Sequence, residues 1–177
     1  MRFPFYKQHD SMDCGPACLR MTASYYGKHF TIDTLRSISG INSEGVSLLG
    51  ISEAAEKIGF RTAGVQISLD ELLNHARRPC IVHWNQNHFV VLAPQSRLSL
   101  RKNKISVADP SQEAMINLSR EEFKKHWLSN KADGKETGIT LLLEPTDAFY
   151  NQHSEPRMGT GMRRIGGYVW QHKNLLF

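Results

Sequence analysis

The chain has 177 residues, 40% hydrophobic and 22% charged, which fits one soluble globular domain with an appendage and can bury a core without disulfides or metals. Of the net charge of +5, residues 151–177 supply +3, through Arg157, Arg163, Arg164 and Lys173 against Glu155. The nearly balanced body argues against a nucleic-acid partner, because such binders carry their basic face on the folded part.

Helices come first. The amino terminus MRFPFYKQHD lacks the apolar run of a signal peptide. Apolar residues then recur at helical spacing from Ala17 through Leu19, Met21, Ala23 and Tyr26, and Gly27 supplies a stop. Thr31 can cap a short helix through Ile38. Ser47 can cap another, SLLGISEAAEKIGF, with Gly59 as terminator. FRTAGVQI reads as a strand, and SLDE at Ser68–Glu71 as a capping box that opens a further short helix.

From Pro79 the period changes to two. PCIVHW, HFVVLAP, RLSLR and KISVAD are strand candidates, the last two flanking a hairpin tip at Lys102-Asn103. SREE at Ser119–Glu122 is a second capping box, opening EEFKKHWLS. KADGKETG is a polar loop, and GITLLLEP a final strand stopped by Pro145. Helices followed by an antiparallel sheet predict an α+β fold with two lobes. The tail from Thr146 turns polar and reads as a linker. Beyond it MRRIGGYVWQHKNLLF is either a frayed terminus or an interfacial helix. No run of 18 apolar residues occurs, so no membrane span is predicted.

The chemistry centres on Asp13-Cys14-Gly15-Pro16. Pro16 favours the first helical turn, which sets Cys14 at a helix amino terminus. Unpaired N–H groups and the helix dipole stabilise a thiolate there, and the thiolate is the reactive form. A buried structural cysteine is the competing reading. Cys18 and Cys80 lie in apolar runs and read as core. Three cysteines at wide spacing make no disulfide framework, and reducing cytosol is the expected compartment. A metal held by Cys14 and Cys18 would need two more ligands, and there is no second CxxC or HxxxH. No metal or cofactor is therefore expected.

A cysteine nucleophile needs a base. Of the eight histidines, His88 opens the strand HFVVL after the polar turn NQN, on the lip of a rigid element. His83 lies within a strand, where a structural role is the default. Asp109 ends KISVAD just before Pro110. If that strand pairs with HFVVL, Asp109 can orient His88; alone, a DP pair is a strand-ending turn.

The ordered set Gln8-His9-Asp10-Ser11-Met12-Asp13-Cys14-Gly15-Pro16-Ala17, Tyr25-Tyr26-Gly27, His88-Phe89-Val90-Val91-Leu92, Ala108-Asp109-Pro110 and Leu141-Leu142-Leu143-Glu144-Pro145 resembles the amino-terminal cysteine peptidase domain of bacteriocin-processing ABC transporters. These are the double-glycine leader peptidases, and the resemblance spans about residues 5–150. It implies a papain-like two-lobed fold, with a helical amino-terminal lobe facing an antiparallel sheet lobe. It implies Cys14 as nucleophile, His88 as base, Asp109 as orienting acid and Gln8 in the oxyanion hole.

The resemblance further implies a precursor peptide with a Gly-Gly leader as partner, bound as a helix in an apolar groove. The other partners would be the transmembrane and ATP-binding domains of the transporter, at the cytoplasmic face of the bacterial inner membrane. Residues 1–147 would form the peptidase domain. Residues 148–177 would form the linker and an interfacial helix before a transmembrane domain beyond this chain. The chain has no Walker motif, so ATP binding would belong elsewhere. Two rivals remain at this point: a non-catalytic module that only docks leader peptides, and a Cys-His-Asp acyltransferase with another acceptor.

Overall fold

In a computed structural model, residues 2–41, 45–95, 104–130 and 136–155 are described. A 3-10 turn, Ser11–Asp13, leads directly into α1, Cys14–Tyr25. α2 covers Ile32–Ile38 and α3 Leu48–Lys57. Their caps are the ones the sequence offers: Thr34 N–H donates to Thr31 Oγ1 and Gly50 N–H to Ser47 Oγ. Gly15 lets α1 and α3 meet, since a Cβ there would lie 2.3 Å from Val46 and 2.8 Å from Ile51.

The sheet follows. Its strands are β1 Phe60–Ser68, β2 Cys80–Trp84, β3 His88–Leu92, β4 Ile105–Ala108, β5 Ile116–Leu118, β6 Leu128–Asn130 and β7 Thr137–Pro145. The order is β1-β7-β2-β3-β4-β5, with β6 also on β7, and every pairing is antiparallel. Two short helices interrupt it, α4 Leu69–Asn74 and α5 Arg120–Trp127, each opened by the predicted capping box. The fold is α+β, as the order of elements predicts.

Alternation along the strands builds two cores. Ile81, Phe89, Val91, Ala108, Leu141 and Leu143 pack with α1, α2 and α3. Val82, Trp84, Val90, Leu92 and Val107 pack on the other face with Leu69, Leu72, Phe123 and Trp127 of α4 and α5. Both faces of the central strands are covered, so the period of two expected from Pro79 onward is replaced in β2 and β3 by nearly continuous burial. RLSLR, its Lys102-Asn103 tip and the beginning of KADGKETG lie outside the described residues. β5 and β6 have only three residues each, too short to show a period of two.

The sequence ends the folded unit at residue 147, but packing continues to Glu155. α6, Asp147–Asn151, puts Phe149 wholly inside the first core. Phe149 stands against Phe60 with ring centroids 4.4 Å apart. Gly59 makes this possible: its φ is +94°, and a Cβ there would meet the Phe149 backbone at 2.3 Å. The chain then crosses to α2. Glu155 accepts hydrogen bonds from Thr31 N–H at 2.7 Å and Thr34 Oγ1 at 2.6 Å. Two adjacent aromatic residues, Phe149 and Tyr150, amid mostly polar ones give no periodicity, so sequence reasoning missed this strap. Residues 156–177, with the interfacial-helix reading, lie outside the described residues. Phe149→Ala should cost about 3–5 kcal/mol, the usual loss for a buried aromatic. Urea denaturation will show it, and a change below about 1 kcal/mol would mean that the strap is not part of the folded unit.

Candidate active site

The start of α1, the lip of β3 and the end of β4 converge. Cys14 is the first residue of α1 and is 5% exposed. α1 is docked on β3 one turn further on, where Cys18 Sγ donates to the carbonyl of Phe89 at 3.3 Å. That contact stands four residues from Cys14 and next to His88, so it sets the distance between them. The Cys14 thiol lies near the His88 imidazole, close enough to help raise its pKa.

His88 follows a tight turn in which Asn85 and Gln86 both have positive φ, 50° and 65°. Asn87 N–H closes the turn on the Trp84 carbonyl at 3.2 Å. The end of α5 holds it from behind. Asn85 N–H donates to the His126 carbonyl at 2.8 Å, and the His126 ring pairs with Asn85 Oδ1 at 2.7 Å. A left-handed pair without glycine is strained, and these contacts offset the strain.

His88 Nε2 donates to Asp109 Oδ1 at 2.8 Å, which leaves Nδ1 for Cys14. β4 runs antiparallel to β3, so its carboxyl end lies towards the amino end of β3, where His88 stands. Asp109 is fixed in turn by Ser111, whose N–H and Oγ donate to Oδ1 at 2.9 and 2.7 Å. Sequence reasoning missed Ser111. The signal was present in Asp-Pro-Ser, since an Asp side chain often closes a turn on the amide two residues on.

The electrostatics suit an ion pair. Burial pulls the His88 pKa down, but the hydrogen bonds to Asp109 and Cys14 and their charges outweigh it. The net effect raises it from 6.5 to about 9. Burial pushes Asp109 up; the hydrogen bonds from His88 and Ser111 overcome this and hold it below the usual carboxylate range. Burial drives Cys18 well above an ordinary thiol and Cys80 to about 12, which leaves both inert at neutral pH. His83 is half-buried against Phe89, ring centroids 5.2 Å apart, and burial lowers its pKa.

Gln8 lies on the segment before the 3-10 turn. Its N–H donates to the carbonyl of Pro110 at 2.8 Å, next to Asp109. Its carboxamide oxygen is buried without a hydrogen-bond partner, and a half-turn of the amide exchanges that oxygen for the NH₂ donor. A cavity of about 370 Å³ is lined by Val46, Leu48, His83 and Ile139 and by Asn87 and Phe89, the chain neighbours of His88. Neither this cavity nor the larger ones of about 480 and 760 Å³ is lined by Gln8, Cys14, His88 or Asp109. Among the described residues no helix is long and apolar enough to cross a membrane.

The peptidase C39 family pattern matches residues 2–146. The chain belongs to the peptidase C39 family. That family consists of cysteine peptidases, so the chain is a hydrolase by descent. The C39 match extends to secretion proteins. The chain is 31% identical over 157 residues to the colicin V secretion/processing ATP-binding protein CvaB of Escherichia coli, covering 89% of this chain and 20% of that protein. It is 30% identical over 158 residues to the transport/processing ATP-binding protein ComA of Streptococcus pneumoniae, covering 86% of this chain and 20% of that one. The chain thus spans about a fifth of the length of these relatives. Among solved structures, a double glycine motif protease from an AMS/PCAT transporter, in complex with the leader peptide, superposes with a TM-score of 0.68 at 30% identity. The match covers 82% of this chain and 93% of that one. The peptidase domain of Streptococcus ComA superposes with a TM-score of 0.66 at 28% identity, covering 82% and 100%.

Proposed function

We propose that the chain is a cysteine endopeptidase that cuts leader peptides after a Gly-Gly pair, from bacteriocin or other ribosomal peptide precursors. It would do so as part of an ABC exporter at the cytoplasmic face of the bacterial inner membrane. The observation that carries the reading is the convergence of Cys14, the first residue of α1, with a His88 that is hydrogen-bonded to Asp109 at 2.8 Å. The names of the relatives and of the leader-bound structure support the substrate class.

The Cys14 thiolate attacks the carbonyl carbon of the second glycine. A C–S bond forms and the carbonyl oxygen takes the negative charge. The Gln8 carboxamide and the Cys14 N–H donate to that oxygen. His88 gives its Nδ1 proton to the leaving amine as the C–N bond breaks, freeing the cargo. Water then attacks the thioester, His88 takes its proton, and the leader leaves with a new carboxylate. Asp109 holds the ring throughout. The cavity between Leu48 and Phe89 reaches the chain neighbours of His88 and suits the apolar side chains of a leader helix laid in a groove. A narrow approach to Cys14 that rejects side chains would explain a demand for glycine.

The test is a set of peptides in which either glycine becomes alanine, incubated with the purified chain and read by mass spectrometry. Cleavage should follow the second glycine and fall at least about tenfold for each alanine. Equal rates for all the peptides would reject the Gly-Gly reading. The pH profile gives a second check. The raised His88 pKa means that the imidazolium persists through neutral pH and is lost as pH rises through about 9. Its contribution to stability is likewise full below 6.5, the ordinary histidine value, and falls away through about 9. The rate should therefore have an alkaline limb near 9 rather than near 6.5. A limb at the ordinary histidine value would contradict the pair.

A further inference from the structure

Asp13 immediately precedes Cys14 and has no part in the steps above. Its side chain is only 1% exposed. Arg36 of α2 chelates it: Nε donates to Oδ1 at 2.5 Å and Nη2 donates to Oδ2. The Asp10 N–H also donates to Oδ2, at 3.3 Å. This last bond completes the capping box of the Ser11–Asp13 turn, the turn from which α1 starts. Asp13 thus acts as an acceptor that shapes the foot of the nucleophile helix. It stands at the N-cap position of α1 yet makes no capping bond to that helix.

The placement has an electrostatic consequence. Across the cleft Cys14 faces His88 and Asp109, and Cys18 lies one turn along α1. Where α3 packs on the start of α1, its contacts are the apolar Val46 and Ile51. Asp13 precedes Cys14 in the chain, and its carboxylate is held by Arg36 and by the N–H of the exposed Asp10. A buried carboxylate beside a thiolate disfavours it, and the low local dielectric magnifies the effect. Arg36 reaches in from α2, itself 38% exposed, and supplies the opposite charge in bidentate form. Its other carboxylate neighbour is the exposed Asp33, 3.6 Å away.

We propose that Arg36 is a positioning residue for the reaction. By chelating Asp13 it allows a carboxylate to build the turn before Cys14 without leaving a bare negative charge on the residue next to the nucleophile. The inference rests on the reading of Cys14 as nucleophile. It adds a residue 22 positions away in sequence, from a helix that supplies nothing else to the site.

The test is the rate of Cys14 alkylation by iodoacetamide from about pH 5 to about pH 9, resolved by residue in a mass spectrometer, because the thiolate alone reacts. Arg36→Met should slow alkylation near pH 6 by about tenfold, the equivalent of about one pKa unit. Asp13→Asn keeps an oxygen for the Asp10 N–H and removes the charge. It should stay within about threefold of the parent chain, and the double variant should return to that level. A purely structural ion pair would suffer equally when broken from either side, and the double variant would be no better. Equal losses in the two single variants would overturn the proposal, and so would an Arg36→Met profile that overlies the parent's. If circular dichroism shows Arg36→Met unfolded, Arg36→Gln, which keeps a hydrogen bond and loses the charge, takes its place with the same expectation. Alkylation needs no peptide. A parent chain that cleaves nothing while the asymmetry persists would reject the peptidase reading and leave the role of Arg36 standing.

Discussion

Cys14→Ala leaves the domain folded and brings Gly-Gly cleavage to background, a loss of at least about 10⁴-fold. The expectation follows from the site's placement. Among the described residues it is the thiol of the three that lies near a base, since Cys18 donates its S–H to the Phe89 carbonyl and Cys80 is buried in the sheet. Removing one sulfur at a helix start should cost about 1 kcal/mol of packing or less, while the reaction loses the atom that forms the covalent bond. A thermal melt beside the cleavage assay separates these effects. Residual activity within about tenfold of the parent would reject Cys14 as nucleophile. Cys18→Ala and Cys80→Ala should stay active if they fold.

The second large effect is expected at His88. His88→Ala should cost nearly as much as Cys14→Ala, because the imidazole both generates the thiolate and returns a proton to the amine. Asp109→Asn should be milder. An asparagine oxygen can still accept from His88 Nε2 and keep Nδ1 towards Cys14. Asp109→Ala should cost more, since it frees the ring and strips Ser111 N–H and Oγ of their acceptor as well. His83→Ala is the control for the chemical step and is read by kcat, since His83 lines the cavity assigned to the leader and its loss can raise KM. It lies on the neighbouring strand against Phe89 and makes no contact with Cys14 that would generate a thiolate. Cleavage rates of one peptide across the four variants decide the matter. An inactive His83→Ala with an active His88→Ala would show the wrong histidine had been chosen. An Asp109→Ala as fast as the parent would reduce the triad to a dyad.

The parts of the site readable from sequence are those whose signals are local. Pro16 marks the helix start that presents Cys14, and the polar turn before HFVVL marks the lip that presents His88. Asp109 was readable one step further off, through the condition that its strand pair with β3, which it does at Val91–Ala108. Gln8 carried no local signal and came from the family resemblance alone. Its neighbour in space, Pro110, is about a hundred residues away in sequence, and no period records such a bond. Arg36 was invisible for the same reason: its partner Asp13 lies on another helix. The fold class was legible because helical and alternating patterns occupy separate halves of the chain. The strap ending at Glu155 was not, because its hold rests on one buried ring and on side-chain bonds to α2.

Cleavage of a Gly-Gly leader peptide by the purified chain in H₂¹⁸O tests the central claim most directly. The reading predicts a leader fragment ending at the second glycine, its new carboxylate carrying one ¹⁸O, formed without added acceptor or nucleotide and absent with Cys14→Ala. An intact peptide under the same conditions would favour a docking module, and a fragment released only when another acceptor is supplied would favour an acyltransferase; either result would contradict it.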